Sequence, residues 1–442
     1  MHYMNIIEGG IHMKYILIRC GKLYDGIHAE LYEKREILIE GSTIRTVGEH
    51  LAFPEGTEII DLSALTVTPG MIDAHVHPEF FRYQDVGMVD TLLNSDGYRT
   101  LATYHTAEKS LYGGFTTIRT MGWWREAYEL DVKRAIDEGF LPGARLVVAP
   151  HFLGAPGSHG DMTQVARGNP ALMDHLQKSY PGTGSGPDFF TNAVRREVKL
   201  GADFIKIMVT GGFSTPNDDP EDIQLNDAEL SAIFTAAKSL HTPVTAHVYG
   251  PELMQKLMGF GITGMEHGSL MDEPTARMAE ETGTYLVPTF TPFHDAVMND
   301  EDSMRMKSPE FCRKLHKYQK RLQDGRAIIL SSSMKLGYGT DIVTNYDSFD
   351  HGVEYRCWLE SGADPFRALQ AATKNNAEIC GIADRVGTIE PGKYADISGW
   401  KRDLLHDPDA LRDCAFVMKE GVVYPAECRL KTGGTGIKNP VT

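Results

Sequence analysis

The chain has 442 residues, 42% of them hydrophobic and 24% charged, the make-up of a globular protein with room for one large domain and a smaller one. Its net charge of -16 argues against a nucleic-acid or anionic-membrane partner, since both need clustered Lys and Arg. No apolar run is long enough to span a bilayer.

The N-terminus lacks the basic region and apolar core of a secretory signal, and residues 1–12 read as an extension with Met13 as an alternative start. Six scattered cysteines without Cys-x-x-Cys spacing fit a reduced, cytoplasmic chain. Met13 to Cys20, Glu36 to Glu40, Thr43 to Val47 and Ile59 to Leu62 read as short strands separated by glycine turns. They predict a small β-domain over residues 1–68.

Pro69-Gly70 then leads into Met71-Ile72-Asp73-Ala74-His75-Val76-His77, an apolar strand closed by two histidines. Residues two apart in a strand share a face, so His75 and His77 present two imidazoles to one place. Such a pair suits a divalent metal such as zinc.

From Asp73 to about Asn376, short apolar strands alternate with helical patterns. The strands are Thr116 to Arg119, Ala144 to Ala149, Asp203 to Met208, Val244 to His247, Gly264 to His267 and Tyr285 to Pro288. Helices are expected over Pro187 to Leu200, with Gly201 just past its end, and over Asn226 to Leu240, capped by Asn226. Alternation at this length predicts an α/β fold, a (β/α)8 TIM-type barrel over residues 69–384, with a doubly wound open sheet as the alternative. Strand and turn patterns return after Gly387, with a hairpin around Glu420-Gly421. Residues 385–442 are expected to complete the small β-domain as a sandwich built from both chain ends, ending in a loose tail from Lys431.

A barrel builds its site at the C-terminal ends of its strands, where polar residues interrupt apolar runs. Five such places occur in order: His75 with His77, then Lys206, His247, His267 and Asp341. Lys206 lies in Phe204-Ile205-Lys206-Ile207-Met208, where an ammonium is costly unless paired, neutral or modified. Asp341 ends Gly337-Tyr338-Gly339-Thr340-Asp341, another expected short strand.

In these motifs, and in Thr68-Pro69-Gly70-Met71-Ile72-Asp73, Thr210-Gly211-Gly212, Glu266-His267-Gly268 and Gly387 to Lys393, the chain resembles the amidohydrolase superfamily. Within it the chain is similar to the imidazolonepropionase-like group that contains metal-dependent prolidases and other dipeptidases. The resemblance implies two divalent metal ions, zinc first, with Mn, Co or Fe also compatible with the donor set. It implies that His75, His77 and Asp341 hold the buried ion and His247 and His267 the exposed one. A CO2-derived carbamate on Lys206 and a hydroxide would bridge them, and Asp341 would carry the proton to the leaving amine.

The substrate implied is a small molecule, a dipeptide (Xaa-Pro or another C-terminal residue) or an N-acyl amino acid. A lactonase, phosphotriesterase-like or cyclic-amide hydrolase on the same metals is the alternative. Dipeptidases of the group use a tyrosine and a histidine on the substrate's carboxylate or carbonyl, for which Tyr249 and His159 are the matches. Arg119 is a lesser candidate for anion binding, with an inward structural ion pair as its alternative. Asp73 is expected to support its strand. Bulky residues at Trp123-Trp124-Arg125 and the run Ile342 to Asp347 depart from the group and point away from proline specificity. Relatives are often homo-oligomers, and the resemblance extends that expectation to this chain.

Overall fold

Segments from the N- and C-terminal parts of the described chain meet in one eight-stranded sheet. Its path runs Val422–Tyr424, Cys414–Lys419, Ile397–Trp400, Glu58–Pro69, Tyr15–Leu23, Glu36–Glu40, Thr43–Gly48, with Tyr32–Glu33 also paired to Tyr15–Leu23. The structure is a computed structural model that describes residues 14–80, 93–125, 127–295, 307–342 and 349–424. The expected start at residues 1–12, most of the run after Asp341 and the tail lie outside these.

Alternate residues Ile16, Ile18 and Cys20 turn one face of their strand onto Ile37, Ile39, Val67, Ile397 and Met418. Leu17 and Leu38, which point the other way, are buried as well, so the middle of the sheet is covered on both faces. The ladder is continuous, so one sheet replaces the expected two-sheet sandwich. It curls over its own core, with Ala395 N donating to Ser42 O and Ile44 N to Lys393 O, both at 2.8 Å. The expected hairpin is present: Lys419 pairs with Val422, and Glu420 and Gly421 take φ of 50° and 76°. A two-residue turn that matches the strand twist needs positive φ at both positions.

The middle of the chain forms two parallel sheets. One orders Met71–Val76, Phe115–Thr120 and Arg145–Val148. The other orders Tyr285–Val287, Gly264–His267, Val244–Val248, Ile205–Met208 and Phe152–Leu153. Every residue of Met71–Val76, Phe115–Thr120, Ile205–Met208, Val244–Val248 and Gly264–His267 is buried. Parallel strands covered on both faces read this way, which is why their few polar residues stand out. Helix Pro187–Leu200 buries Phe190, Ala193, Val194 and Glu197, the i, i+3, i+4, i+7 stripe, and ends on left-handed Gly201. Asn226 caps Asp227–Ser239 through a capping box with Glu229.

Backbone bonds link the two sheets at both seams. Asp203 N donates to Val148 O at 2.8 Å on one side. On the other, Leu286 bridges Leu336, Ala74 N donates to Tyr338 O at 2.8 Å and Asp341 N to His75 O at 2.9 Å. The segment ending at Asp341 thus makes ladder bonds without the regular strand expected of it. Its glycines allow a close approach: a Cβ on Gly339 would lie 2.6 Å from that of His75.

Candidate metal centre and substrate cavity

The side chains singled out in the sequence converge where the parallel strands end. Ligand atoms of His75, His77 and Asp341 all lie within 4.8 Å of one another. Nε2 of His75 is 3.5 Å and Nε2 of His77 is 3.7 Å from Asp341 Oδ1. His267 brings Nδ1 to 3.7 Å from Asp341 Oδ2. Ring centroids of His267 lie 4.9 Å from His75 and 4.6 Å from His247. Three residues here are left-handed without being glycine: His267 (φ 68°), Thr289 (φ 45°) and Asp341 (φ 47°). Each such residue costs about 1–3 kcal/mol and persists only where its surroundings hold it.

Buried acids bond both histidines. His75 Nδ1 bonds Glu266 Oε2 at 2.7 Å, and His77 Nδ1 bonds Glu79 Oε1 at 3.0 Å. Glu266, paired with Arg119, accepts as a carboxylate, so His75 Nδ1 carries the proton and its Nε2 turns a lone pair toward Asp341. Burial holds His75, His247 and His267 well below the ordinary histidine pKa and brings His77 to about 4, so the rings are neutral at pH 7. Burial raises Asp341 to about 6, against the pull of His77 and Lys206. Lone pairs and a carboxyl converging in this way fit a divalent cation.

Lys206 reaches the same place from its buried strand, with only the thioether of Met121, at 3.9 Å, as a hydrogen-bond partner among the described residues. Burial lowers it to about 8, with Arg119 adding and with Glu266 and Asp341 opposing.

Arg119 is not at the mouth. Its Nε donates to Ala74 O at 2.7 Å, Nη1 to the Tyr285 hydroxyl at 2.9 Å and Nη2 to Glu266 Oε1 at 2.5 Å. The ion-pair alternative therefore replaces anion binding: a fully buried guanidinium neutralises the carboxylate that orients His75. Asp73 supports as expected, accepting from the amides of His75 and Thr340 at 3.0 and 3.2 Å. Its other oxygen accepts from the Thr340 hydroxyl and bonds His351 Nδ1.

Over these groups opens a cavity of about 570 Å³. His159 stacks on His247 with centroids 4.4 Å apart, and Tyr249 stacks on His267 at 5.2 Å. His159 Nδ1 donates to Thr215 Oγ1 at 2.8 Å, and that hydroxyl donates to Asp218 at 2.6 Å. Burial would raise Asp218, but its bonds with His159, Lys314 and Thr215 hold it at about 2. Lys314 locks this loop with three bonds of 2.6–2.7 Å, to Gly212 O, Thr215 O and Asp218. Phe80, Trp124, Phe152, Met162 and Met208 make one apolar wall, and Phe213, Phe293 and Phe311 another.

The amidohydrolase family model matches residues 66–425, most of the chain. The chain belongs to the amidohydrolase family. Ochratoxinase of Aspergillus niger is 23% identical over 353 residues, 77% of this amidohydrolase and 71% of that protein. Adenine deaminase of Moorella thermoacetica is 26% identical over 86% of this chain and 53% of its own. A crystal structure of a Xaa-Pro dipeptidase with bound methionine in the active site superposes with a TM-score of 0.81 at 27% identity, covering 93% of this chain and all of that one. The ochratoxinase structure shares the fold at a TM-score of 0.80 and 21% identity, over 93% and 96% of the two chains. This amidohydrolase is thus a hydrolase acting on small molecules, and no described helix is long and apolar enough to cross a membrane.

Several groups at the site escaped the sequence reading. Glu266 precedes His267 inside an apolar strand and Glu79 follows His77 by two, so buried acid beside histidine was a usable signal. Thr289, Lys314, Lys307 and the phenylalanine wall carried none, because they sit outside the apolar strands whose polar interruptions drew attention.

Proposed function

We propose that this amidohydrolase holds two divalent metal ions, zinc first, and hydrolyses the amide bond of a dipeptide or N-acyl amino acid. The observation that carries the reading is the convergence of His75, His77, His267 and Asp341, with Lys206 and His247 beside them, at the foot of a cavity. In this reading the two parallel sheets close as one eight-stave barrel, with Arg145–Val148 and Phe152–Leu153 sharing a stave and 335–341 as the last. His75, His77 and Asp341 would hold one ion and His247 and His267 the other. A carbamate on Lys206 would link them: the neutral Nζ forms a bond to the carbon of CO2 and releases a proton, leaving an anion where an unpaired ammonium stood. When bound, the metals supply the acidity that makes water a nucleophile near neutral pH and the pull that polarises the scissile carbonyl.

The chain's own groups do the rest. Asp341 takes a proton from the attacking water and gives it to the leaving nitrogen, the carboxyl nearest both positions at the foot of the cavity. The Tyr249 hydroxyl, and His159 when it carries a proton on Nε2, hold the carbonyl oxygen as negative charge develops there. The apolar walls exclude water. Incubation of the zinc-loaded, bicarbonate-treated enzyme with a broad panel of dipeptides and N-acyl amino acids should reveal turnover. A metal-loaded enzyme that cleaves none of them would sink the amide reading.

A further inference from the structure

We propose that Lys307 is the residue that reads the substrate's carboxylate, and that the amidohydrolase selects amides whose carboxylate-bearing half is a large apolar residue. The inference deepens the amide-hydrolase reading and rests on it.

Lys307 lines the cavity, and its Nζ is shut off from solvent with no hydrogen-bond partner among the described residues. It stands 4.8 Å over the Phe311 ring, which stabilises a cation but satisfies none of its three N–H donors. A buried ammonium left in this state is costly, and an incoming anion relieves that cost. The neighbouring cations are otherwise engaged: Lys314 is tied to three acceptors, and Arg167 is exposed at the rim. Ser308, the next residue, caps the 23-residue helix Pro309–Ser331, so the positive end of that helix faces the same spot.

The wall between Lys307 and the metal ligands sets the rest of the substrate. From Tyr249 the rings run to Phe213 at 5.1 Å, on to Phe293 at 4.6 Å, and then to Phe311, stacked on Phe293 at 6.3 Å. A carbonyl at Tyr249 and a carboxylate at Lys307 would lay the intervening side chain along these rings. Proline would leave much of that wall bare, whereas an aromatic or long aliphatic side chain would cover it.

The test uses two ligands with no bond to cleave, 3-phenylpropanoate and its neutral counterpart 3-phenylpropan-1-ol, titrated calorimetrically into the metal-loaded enzyme. Wild type should bind the acid about tenfold or more tighter than the alcohol, as a charge-assisted bond predicts. In Lys307→Met that ratio should fall to about one, and in Lys307→Arg it should largely return. The alcohol's affinity reports whether each variant keeps its pocket. A preference for the acid that survives in Lys307→Met, or that is lost instead in Arg167→Ala, would overturn the assignment; so would the absence of any preference in wild type. Because neither ligand is hydrolysed, this result is independent of whether the substrate panel shows turnover.

Discussion

At the N-terminal ends of the parallel strands lies a second cavity of about 590 Å³, slightly larger than the one of about 570 Å³ at their C-terminal ends. Its lining is rich in charge, yet most of the charges are matched. Arg145 binds Asp396 at 2.9 Å and Glu420 at 2.6 Å, Lys133 binds Asp203 at 2.5 Å, and Lys335 binds Glu378 at 2.7 Å. Even Lys419 has Gly143 O at 3.1 Å. At the C-terminal end Lys206 and Lys307 have no acidic hydrogen-bond partner among the described residues, and His267, Thr289 and Asp341 hold left-handed backbones, whereas Glu420 at the other end is left-handed inside a two-residue turn that requires it. Volume therefore does not locate the chemistry. Unpaired charge, and left-handed backbone outside a tight turn, do, because both cost stability that folding alone does not return.

The sharpest way to break this contrast is to remove a ligand from the C-terminal end. Asp341→Asn keeps the shape but loses both the anionic oxygen and the proton carrier. Its kcat/KM should fall about a thousandfold or more, with less metal retained by the purified protein. Activity within tenfold of wild type would place the reaction elsewhere. A step further out, Glu266→Gln leaves every candidate ligand present but loosens the orientation of His75. Metal affinity should weaken about 10- to 100-fold, read by competition with a chelating dye.

The opposite end should behave in the opposite way. Arg145→Met strands Asp396, whose side chain is 3% exposed, beside a guanidinium-shaped gap. Breaking a buried pair costs about 3–5 kcal/mol, so denaturant unfolding should shift strongly while kcat/KM of the folded enzyme stays within about twofold. A large loss of turnover at unchanged stability would mean that the two ends are coupled.

The site was more legible in the sequence than the surroundings that tune it. His75, His77, Lys206, His247 and His267 are polar breaks in strands buried on both faces, and that local contrast survives in a string of letters. Arg119 could not be resolved in the same way. Its partner Glu266 is 147 residues distant, so whether the guanidinium served a substrate or a core carboxylate depended on a contact made only by folding. Lys307 and its phenylalanines were invisible for a related reason: they lie in loops, a short helical turn and the first turn of a helix, where no apolar strand is interrupted. The strand expected at Gly337 to Asp341 failed because the glycines that permit its close approach to His75 also remove the propensity for regular pairing. The small domain misled only in its layering, since alternation fixes which residues are inside but not whether the sheet that encloses them is one or two.

The mildest test sits at the rim of the N-terminal cavity, in Lys335→Ala. Lys335 and Glu378 are 44% and 28% exposed, and Glu378 also binds Lys374 at 2.8 Å, so its charge is never abandoned. The loss should be under about 1 kcal/mol, a Tm shift of about 1–2 °C. The pH dependence gives it a signature. Burial would raise the Glu378 carboxyl, but its bonds to Lys335 and Lys374 outweigh that and hold it below the usual glutamate value. A depressed carboxylate stabilises fully above its unfolded pKa and ceases to do so as pH falls through the folded one. The Tm difference between wild type and Lys335→Ala should therefore be present at pH 7 and close as the pH is lowered below about 4. A gap that persists in acid would mean that Lys335 acts through the packing of its methylenes rather than its charge, and the matched-charge description of this cavity would need to give way to one based on shape.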